Sequence, residues 1–332
     1  MRVLVTGAAG FIGFCLARRL LARGDEVIGI DNLNDYYQVS LKHDRVVELR
    51  REGGNRFTFH RLDFSDMAAL TGALDETPID RIAHLGAQAG VRYSLENPQA
   101  YVASNLAGHV NLLELARHRA VEHMVYASSS SVYGGNTKLP FAVEDRTDHP
   151  ISLYAATKRA DELMSETYAH LFGLPLTGLR FFTVYGPWGR PDMMLWNFTQ
   201  RILAGEPIPV FNHGDLARDF TYIDDIVAGV MAALDAAPVN DGTIKAGGSA
   251  KPHALYNIGN SASEPLMKVV GLLEQACGRP AKIEYLPMQP GDVPKTCADI
   301  SAIARDLGYA PTTSIEVGVP AFVEWYRAYH QA

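Results

Sequence analysis

The sequence TGAAGFIG, residues 6–13, joins a short apolar strand at residues 3–5 to a helical pattern near the start of the chain. Its three glycines each meet a different steric need. Gly7 permits a tight turn, Gly10 lets a pyrophosphate approach the backbone, and Gly13 lets the helix pack close to the sheet. A strand before these glycines and a helix after them predict a dinucleotide-binding turn.

The second predicted strand ends in an acidic residue, Asp31, which is followed by Asn32. A carboxylate at that place accepts hydrogen bonds from the adenosine ribose hydroxyls and repels a 2′-phosphate. We therefore expect both residues to contact the cofactor, and we expect NAD rather than NADP.

The ends of the third and fourth predicted strands supply further candidate contacts. Asp63 and Phe64 end the third strand, where the edge of an adenine would lie. Leu85 and Ala87 flank a glycine at the end of the fourth strand, where small residues let the cofactor pass. Taken alone, either pair is equally typical of an ordinary turn.

Apolar strand-like segments alternate with helical patterns over the first half of the chain. The predicted strands span 2–6, 26–30, 56–62, 80–85, 122–127 and 175–181, and the predicted helices span 11–23, 38–52, 66–75, 98–119 and 152–172. This alternation predicts an α/β fold with a doubly wound parallel sheet.

After about residue 185 the segments become shorter and mixed, with several prolines. We expect a Rossmann nucleotide-binding domain at residues 1–184 and a smaller, mixed α/β substrate lobe at residues 185–332. Residues 220–236 have a helical pattern, and we expect them to pack back on the first domain. Residues 315–329 are predicted to form a closing helix.

Composition and charge exclude several classes of protein. The 332 residues are 47% hydrophobic and 20% charged, and 30 Lys and Arg against 37 Asp and Glu give a net charge of −7. These values fit a globular chain and give no electrostatic reason to expect a nucleic-acid partner. No segment reaches the ~20 apolar residues of a membrane span, and no secretion signal precedes the first strand. The three cysteines form no CxxC pair, so we expect no structural metal site and a cytoplasmic location.

Tyr154 and Lys158 form the pattern YxxxK on a predicted helix, which places both side chains on one face. A neighbouring ammonium favours the phenolate form of a tyrosine, which can then take a proton from a hydroxyl while hydride leaves the same carbon. Four serines, residues 128–131, follow the fifth predicted strand at the edge where ligands bind in such sheets. Each motif alone is common, and the combination predicts a site that oxidises an alcohol.

Together, the glycine turn, the serines before VYG at residues 132–134, and the Tyr154–Lys158 pair resemble the extended short-chain dehydrogenase/reductase family of NAD-dependent epimerases and dehydratases. The resemblance covers nearly the whole chain and implies tightly bound NAD and a nucleotide-sugar substrate. It implies Ser129 as the serine that contacts the sugar hydroxyl, Tyr154 as the base and Lys158 as its partner. The implied cofactor-binding residues are Gly7, Gly10, Phe11, Ile12, Gly13, Asp31, Asn32, Asp63, Phe64, Leu85, Ala87, Asn105, Tyr154 and Lys158.

The residues before VYG distinguish the reactions of this family, which begin with oxidation at C4 of the hexose. The resemblance implies an Asp-Glu pair there in 4,6-dehydratases and a glutamate directly before VYG in UDP-glucuronate decarboxylases. This chain has Ser130 and Ser131 in those places. Epimerisation at C4 is therefore the expected outcome.

Three segments, at residues 32–37, 88–94 and 189–193, resemble those members of the family that epimerise UDP-glucuronate. The implied substrate is a UDP-sugar acid. Thr183 stands where UDP-glucose 4-epimerases usually carry asparagine, and it leaves space and a donor for a C6 carboxylate. Arg190 offers that carboxylate a forked, permanently charged partner. Without the resemblance, Arg190 reads as an ordinary loop arginine.

The resemblance also assigns residues to the UDP group of the substrate. Arg218 is expected on the diphosphate and Asp292 on the uridine ribose, while Gln289 stands where many relatives have an arginine. Val210 and Phe211 are candidates for the uracil pocket, and either could equally be core. The full implied substrate-binding set is Arg92, Ser129, Ser130, Ser131, Thr183, Arg190, Val210, Phe211, Arg218, Gln289 and Asp292.

Helices 98–119 and 152–172 could form a two-fold four-helix interface, as in relatives, so we expect a homodimer. Two enzymatic alternatives stay open: a UDP-glucuronate decarboxylase and a UDP-glucose 4-epimerase. A catalytically inactive NAD-binding sensor or scaffold would be an alternative of another class. The intact Ser129, Tyr154 and Lys158 argue against that last alternative.

Overall fold

The computed structural model describes residues 1–75, 77–289 and 291–331 of the chain. Its strands within those residues are β1 (Arg2–Thr6), β2 (Glu26–Asp31), β3 (Phe57–Arg61), β4 (Arg81–His84), β5 (His123–Ser129), β6 (Leu176–Phe181), β7 (Thr183–Tyr185), β8 (Pro207–Phe211), β9 (Ala217–Tyr222), β10 (His253–Ile258), β11 (Ser263–Pro265) and β12 (Lys282–Leu286). Its α-helices there are α1 (Phe11–Arg23), α2 (Val39–Gly53), α3 (Met67–Ala73), α4 (Tyr93–Glu96), α5 (Pro98–Tyr101), α6 (Gly108–His118), α7 (Leu153–Phe172), α8 (Met194–Ala204), α9 (Ile223–Asp235), α10 (Leu266–Cys277), α11 (Ser301–Leu307) and α12 (Ile315–His330).

Seven strands form one parallel sheet in the order β10-β6-β5-β4-β1-β2-β3. Its central strands are apolar and almost wholly buried, as strands covered by helices on both faces must be. The predicted α/β fold with a doubly wound sheet is confirmed. The strand order reverses between β1 and β4, and the crevice at the carboxyl ends of those two strands is where ligands bind in such sheets.

Two small sheets, β11-β9-β7 and β12-β8, build the smaller lobe. Helices α8, α10 and α12 enclose an apolar core with them, in which Trp196, Val210 and Phe322 are buried. Beyond residue 185 the chain returns to the main sheet twice, because α9 packs on α1 and β10 pairs with β6 as the seventh strand. The pairing of β10 was not anticipated from the sequence, and the domain boundary at residue 184 stays a prediction.

The predicted helix at 98–119 is divided in the structure. It consists of α5, a π-helical segment (Val102–Ala107) and α6. Segments of π-helix often lie at functional sites, and this one carries Asn105, whose side chain is buried. Among the described residues, no helix is long and apolar enough to cross a membrane.

Candidate active site

The glycine turn lines a cleft at the carboxyl edge of the main sheet, between β1 and β4. Gly7 has a φ of +68°, and a Cβ there would lie 2.8 Å from the backbone of Gly86. A Cβ on Gly13 would lie 2.2 Å from the carbonyl oxygen of Gly7. The backbone therefore excludes larger residues at these places, and the N-terminus of α1 opens on the cleft as a diphosphate site requires.

Asp31 ties the end of β2 to this turn. Its carboxylate accepts hydrogen bonds from the backbone nitrogens of Ala9 at 3.2 Å and Leu33 at 2.9 Å. Burial raises the pKa of Asp31, while these donors and the Lys42 ammonium oppose the rise. Asp31 and Asn32 both line the cleft, so the carboxylate is placed to meet a cofactor ribose.

The other predicted cofactor residues meet at the same cleft. The lining residues among them are Gly10, Phe11, Ile12, Phe64, Leu85 and Ala87. Asp63 supports Asn32, whose amide donates to its carboxylate at 2.9 Å. The other oxygen of Asp63 accepts from Ser65 through the backbone nitrogen at 2.9 Å and Oγ at 2.7 Å. The structure thus brings the four strand ends together.

Helix α7 carries Tyr154 and Lys158, one turn apart, along the wall of this cleft. Lys158 is almost wholly buried, and its Nζ donates to the carbonyl of Ala127 at 3.0 Å. Ser129, at the end of β5, lines the cleft with them. A phenol, an ammonium and a hydroxyl therefore share one cleft with the glycine turn, an arrangement suited to removing a proton from an alcohol.

A buried ion pair holds the serine segment in place. Arg180 donates to both carboxylate oxygens of Glu162, with Nε–Oε1 at 2.8 Å and Nη2–Oε2 at 3.0 Å. Ser128 Oγ donates to the same carboxylate at 2.6 Å. Although burial alone would raise it, the Arg180 guanidinium holds the pKa of Glu162 below its ordinary value. Ser130 and Ser131 follow in a 3₁₀ turn, where the backbone nitrogen of Ser131 donates to Ser129 Oγ at 3.1 Å.

Asn105 connects two walls of the site from behind. Its Oδ1 accepts from the backbone nitrogen of Gln88 at 2.8 Å, and its Nδ2 donates to the Gln88 carbonyl at 3.1 Å. The same Nδ2 donates to Thr157 Oγ1 on α7 at 3.0 Å. Asn105 is 1% exposed, so the structure places it in support of the cleft wall rather than on its surface.

Arg190 also lines the cleft, on the loop between β7 and α8. Its guanidinium is paired with Asp192, and Tyr36 Oη donates to that carboxylate at 3.2 Å. Thr183 borders a smaller apolar cavity that shares Arg190 and Met193 with the main cleft. The two residues predicted to recognise a sugar carboxylate thus lie around one end of the site.

Three residues predicted for the UDP group, Arg218, Asp292 and Phe211, form a second cluster with Arg92, which was predicted to bind the substrate. Arg218 donates to Asp292 Oδ1 at 2.5 Å, and the Arg92 guanidinium lies 4.0 Å from Asp292 Oδ2 and 4.8 Å from the ring centre of Phe211. Gln289 contributes its carbonyl to the turn before Asp292, and Pro290 of the same predicted segment lies outside the described residues. Val210 belongs to the lobe core with no exposed surface, because alternate residues of β8 face opposite sides.

Comparison with known proteins connects this geometry to a family. The model of the NAD dependent epimerase/dehydratase family matches residues 3–247. This chain belongs to that family. UDP-glucuronate 4-epimerase 2 of Arabidopsis thaliana is 49% identical over 99% of this chain and 76% of its own length. A probable UDP-glucuronate 4-epimerase of Rhizobium meliloti is 48% identical over 98% of this chain and 97% of its own length.

Solved structures agree with this placement. The UDP-glucuronic acid 4-epimerase of Bacillus cereus, in complex with UDP-glucuronic acid and NAD, has a TM-score of 0.87 and 34% identity, covering 99% of this chain and all of that chain. As a member of the NAD-dependent epimerase/dehydratase family, this chain is an NAD-dependent enzyme. Its cleft fits the cofactor, because the glycines form a cradle that a Cβ would fill and a buried carboxylate closes the ribose end.

Two cations at and behind the cleft, Lys42 and Arg45, were not predicted from the sequence. Arg45 is fully buried and donates to the carbonyls of Ala9 at 2.8 Å and Trp188 at 2.6 Å, which joins the cofactor turn to the loop that carries Arg190. Lys42 lines the cleft and donates to the Asn34 carbonyl at 2.7 Å. Both cations lie on α2, whose charged sequence is typical of a solvent-exposed helix. A weak sequence signal for these two residues was the segment at residues 32–37, which resembles members of the family and ends just before that helix.

Among the described residues, no group of three or more His, Cys, Asp or Glu side chains is arranged to hold a metal ion. The three cysteines are free thiols.

Proposed function

We propose that this chain interconverts UDP-glucuronate and UDP-galacturonate by inverting the configuration at C4. One observation carries the proposal: Arg190 lines the same cleft as Tyr154, Lys158 and the glycine turn. A permanently charged fork at a site that oxidises alcohols selects a sugar with a carboxylate. The relatives named above support the same substrate, since they are named as UDP-glucuronate 4-epimerases and are about half identical in sequence to this chain.

The cofactor would be held by the N-terminus of α1 at its diphosphate and by Asp31 at its adenosine ribose. When bound, NAD supplies reversible hydride acceptance at C4, so the reaction has no net redox change. Tyr154, as phenolate, takes the proton from the C4 hydroxyl and later returns it to the opposite face. Ser129 shares that hydrogen bond, and the Lys158 ammonium favours the phenolate.

The 4-keto sugar acid formed in this reaction is a β-keto acid, which can lose CO₂. Loss is easiest when the bond to the carboxylate stands perpendicular to the carbonyl plane. In our proposal, Arg190 holds the carboxylate in another orientation. The hydroxyls of Thr183, Ser130 and Ser131 donate hydrogen bonds to the remaining lone pairs of that carboxylate. The absence of a carboxylate side chain from positions 130 and 131 fits epimerisation rather than elimination or decarboxylation.

The UDP group would lie across the second cluster. Arg92 and Arg218 supply positive charge for the diphosphate, and Asp292 can accept from the uridine ribose. Phe211 is partly exposed and offers its ring to uracil, whereas the fully buried Val210 supports the strand from behind. Gln289 brings no charge, so we assign the diphosphate to the two arginines.

We also propose a homodimer in the cytoplasm. Exposed apolar side chains lie on the two predicted interface helices, with Leu163 at 54%, Leu171 at 63%, Phe172 at 46% and Val102 at 42% exposure. Burying them against a second copy would remove apolar surface from water. The free cysteines fit a reducing compartment.

A substrate comparison tests the proposal. Purified protein is given UDP-glucuronate or UDP-glucose at equal concentration, and kcat/KM is measured for each. We expect UDP-glucuronate to be preferred by at least about tenfold, since a charged hydrogen bond contributes about 1.5–3 kcal/mol. Equal or better turnover of UDP-glucose would favour a UDP-glucose 4-epimerase. Bound NAD without turnover of either substrate would favour a sensor.

A further inference from the structure

The catalytic lysine candidate has a second buried partner. Lys158 Nζ donates to Asp161 Oδ2 at 3.0 Å, and the two side chains are only 3% and 1% exposed. Asp161 follows Lys158 by three residues, about one turn further along α7, whereas Tyr154 precedes Lys158. The ammonium is therefore fixed between the Ala127 carbonyl at the end of β5 and a carboxylate on its own helix.

Within the described residues, the contact with Lys158 is the hydrogen bond that the Asp161 carboxylate makes. Its other oxygen, Oδ1, is buried and has no hydrogen-bond partner among the described residues. A buried carboxylate with a free oxygen is costly unless its charge is used. The cost points to a role at the neighbouring site.

Because the other titratable groups around the pair are neutral or paired with one another, Asp161 is the counter-charge of Lys158. The titratable and charged groups around the pair are Glu162 on α7, His109 on α6, His84 on β4, Tyr126 on β5, Arg180 on β6 and His253 on β10. Burial lowers the pKa of His84 and His109 and raises that of Tyr126, so these three are neutral near pH 7. Arg180 and Glu162 compensate each other, and His253 is hydrogen-bonded to Glu166 at 2.8 Å.

We propose that Asp161 is a positioning residue that holds Lys158 in place, weakens the field of its ammonium at Tyr154, and thereby sets the pH range of catalysis. The inference rests on the proposed function in one respect, namely that Tyr154 is the base. An isolated ammonium would favour the phenolate strongly in a site of low dielectric constant. A carboxylate 3.0 Å from that ammonium opposes this effect.

Burial also affects the ionisation of Asp161 itself. Burial raises the pKa of Asp161 to about 6, against the opposing effect of Lys158. Above that pH Asp161 carries the charge that opposes the ammonium, and the proposed effect on Tyr154 belongs to that range.

The test is the pH dependence of kcat and KM for UDP-glucuronate in the wild type and in Asp161→Asn. Asparagine keeps the shape and can still accept from Lys158, but it carries no charge. We expect the acid limb of the kcat profile to move to lower pH by roughly half a unit or more, with KM at the plateau within about twofold. Glu122→Gln, which removes an exposed carboxylate before β5, is the control and leaves the limb in place.

The proposed role of Asp161 is overturned if the wild type and Asp161→Asn are both active and their kcat profiles have the same acid limb, or if the limb of the variant lies at higher pH. Either result leaves the proposed function intact. Asp161→Ala gives the same sign of shift if the asparagine variant does not fold. A wild type without turnover contradicts the proposed function instead. In that event the phenol is titrated by ultraviolet absorbance, as the difference between each protein and its Tyr154→Phe counterpart, and an unshifted titration in Asp161→Asn overturns the proposal.

Discussion

The guanidinium of Arg190 is held by the carboxylate of Asp192, with Nε 3.0 Å from Oδ1 and Nη2 2.5 Å from Oδ2. Although burial alone would raise it, Arg190 keeps the pKa of Asp192 below its ordinary value, so Asp192 is an anion at neutral pH. A sugar carboxylate that binds Arg190 must share this guanidinium with Asp192 or replace it. The pair therefore preorganises the cation.

Arg190→Ala should raise KM for UDP-glucuronate and lower the rate of epimerisation. The loss in kcat/KM should be roughly tenfold to a hundredfold, as expected for a hydrogen bond to a charged group. A larger share of the remaining turnover should end as a UDP-4-keto-pentose and CO₂, with the C4 hydride left on the cofactor as NADH, which NMR of the products and absorbance at the NADH band detect.

Arg146→Ala is the matched control, because Arg146 forms the same kind of pair with Asp148 on the surface. It should behave like the wild type. If Arg190→Ala epimerises UDP-glucuronate as well as the wild type and releases no pentose, acid specificity must come from other residues.

Tyr154→Phe keeps the ring and removes the ionisable oxygen. If Tyr154 is the base, kcat should fall by ~10²–10⁴, the range typical for loss of a general base, while bound NAD stays unchanged. Steady-state kinetics and the cofactor content of the purified protein check this. Tyr285→Phe, at a 52% exposed position, is the control, and activity of Tyr154→Phe within a few-fold of wild type would refute the assignment.

Asp31→Ala should weaken NAD binding and reduce discrimination against NADP. The ribose acceptor and the charge that repels a 2′-phosphate are lost together, and the expected loss of NAD affinity is roughly tenfold or more. Calorimetric titration of both cofactors into stripped protein measures this, with the exposed Asp35→Ala as control. Unchanged affinity and selectivity would mean that Asp31 serves only its hydrogen bonds to the turn.

Buried histidines should make the fold sensitive to mild acid. Burial lowers the pKa of His84 to about 3, that of His123 to about 4, and that of His109 well below its ordinary 6.5. Each contributes stability that is complete above pH 6.5 and is lost as pH falls, at about 1.4 kcal/mol per pH unit. Asp161 acts in the opposite direction, because burial raises its pKa to about 6.

The net expectation is that the free energy of unfolding falls by about 2–3 kcal/mol between pH 6 and pH 5. Urea titrations at several pH values measure it. His123→Asn should flatten the slope, and the exposed His118→Gln should leave it unchanged. A wild-type slope near zero over this interval would contradict the burial of neutral histidines.

The parts of this molecule that were predictable from sequence are those encoded by neighbouring residues. The glycine turn, Asp31 and the Tyr154–Lys158 pair each lie at a strand end or on one helical turn, so their spacing alone indicates their arrangement. The sheet of β1 to β6 follows for the same reason, since each strand is a short segment that alternates along the chain with a helical pattern.

Contacts between distant segments could not be anticipated in this way. Arg45 is bonded to a carbonyl 143 positions further along the chain, so nothing near it distinguishes it from a surface arginine. The pairing of β10 with β6 follows a loop of more than fifteen residues, from which the return to the sheet cannot be inferred. Asp161 reads as a polar position on a helix, and only the packing of α6 and β5 against α7 buries it.

The central claim is epimerisation at C4 by reversible oxidation inside a closed site, and proton NMR of UDP-glucuronate incubated with the purified protein in D₂O tests it most directly. We predict UDP-galacturonate as the product, with the original hydrogen retained at C4, because that hydrogen never exchanges with solvent. A UDP-pentose, deuterium at C4 of the product, or unchanged UDP-glucuronate with an intact holoenzyme would contradict the account.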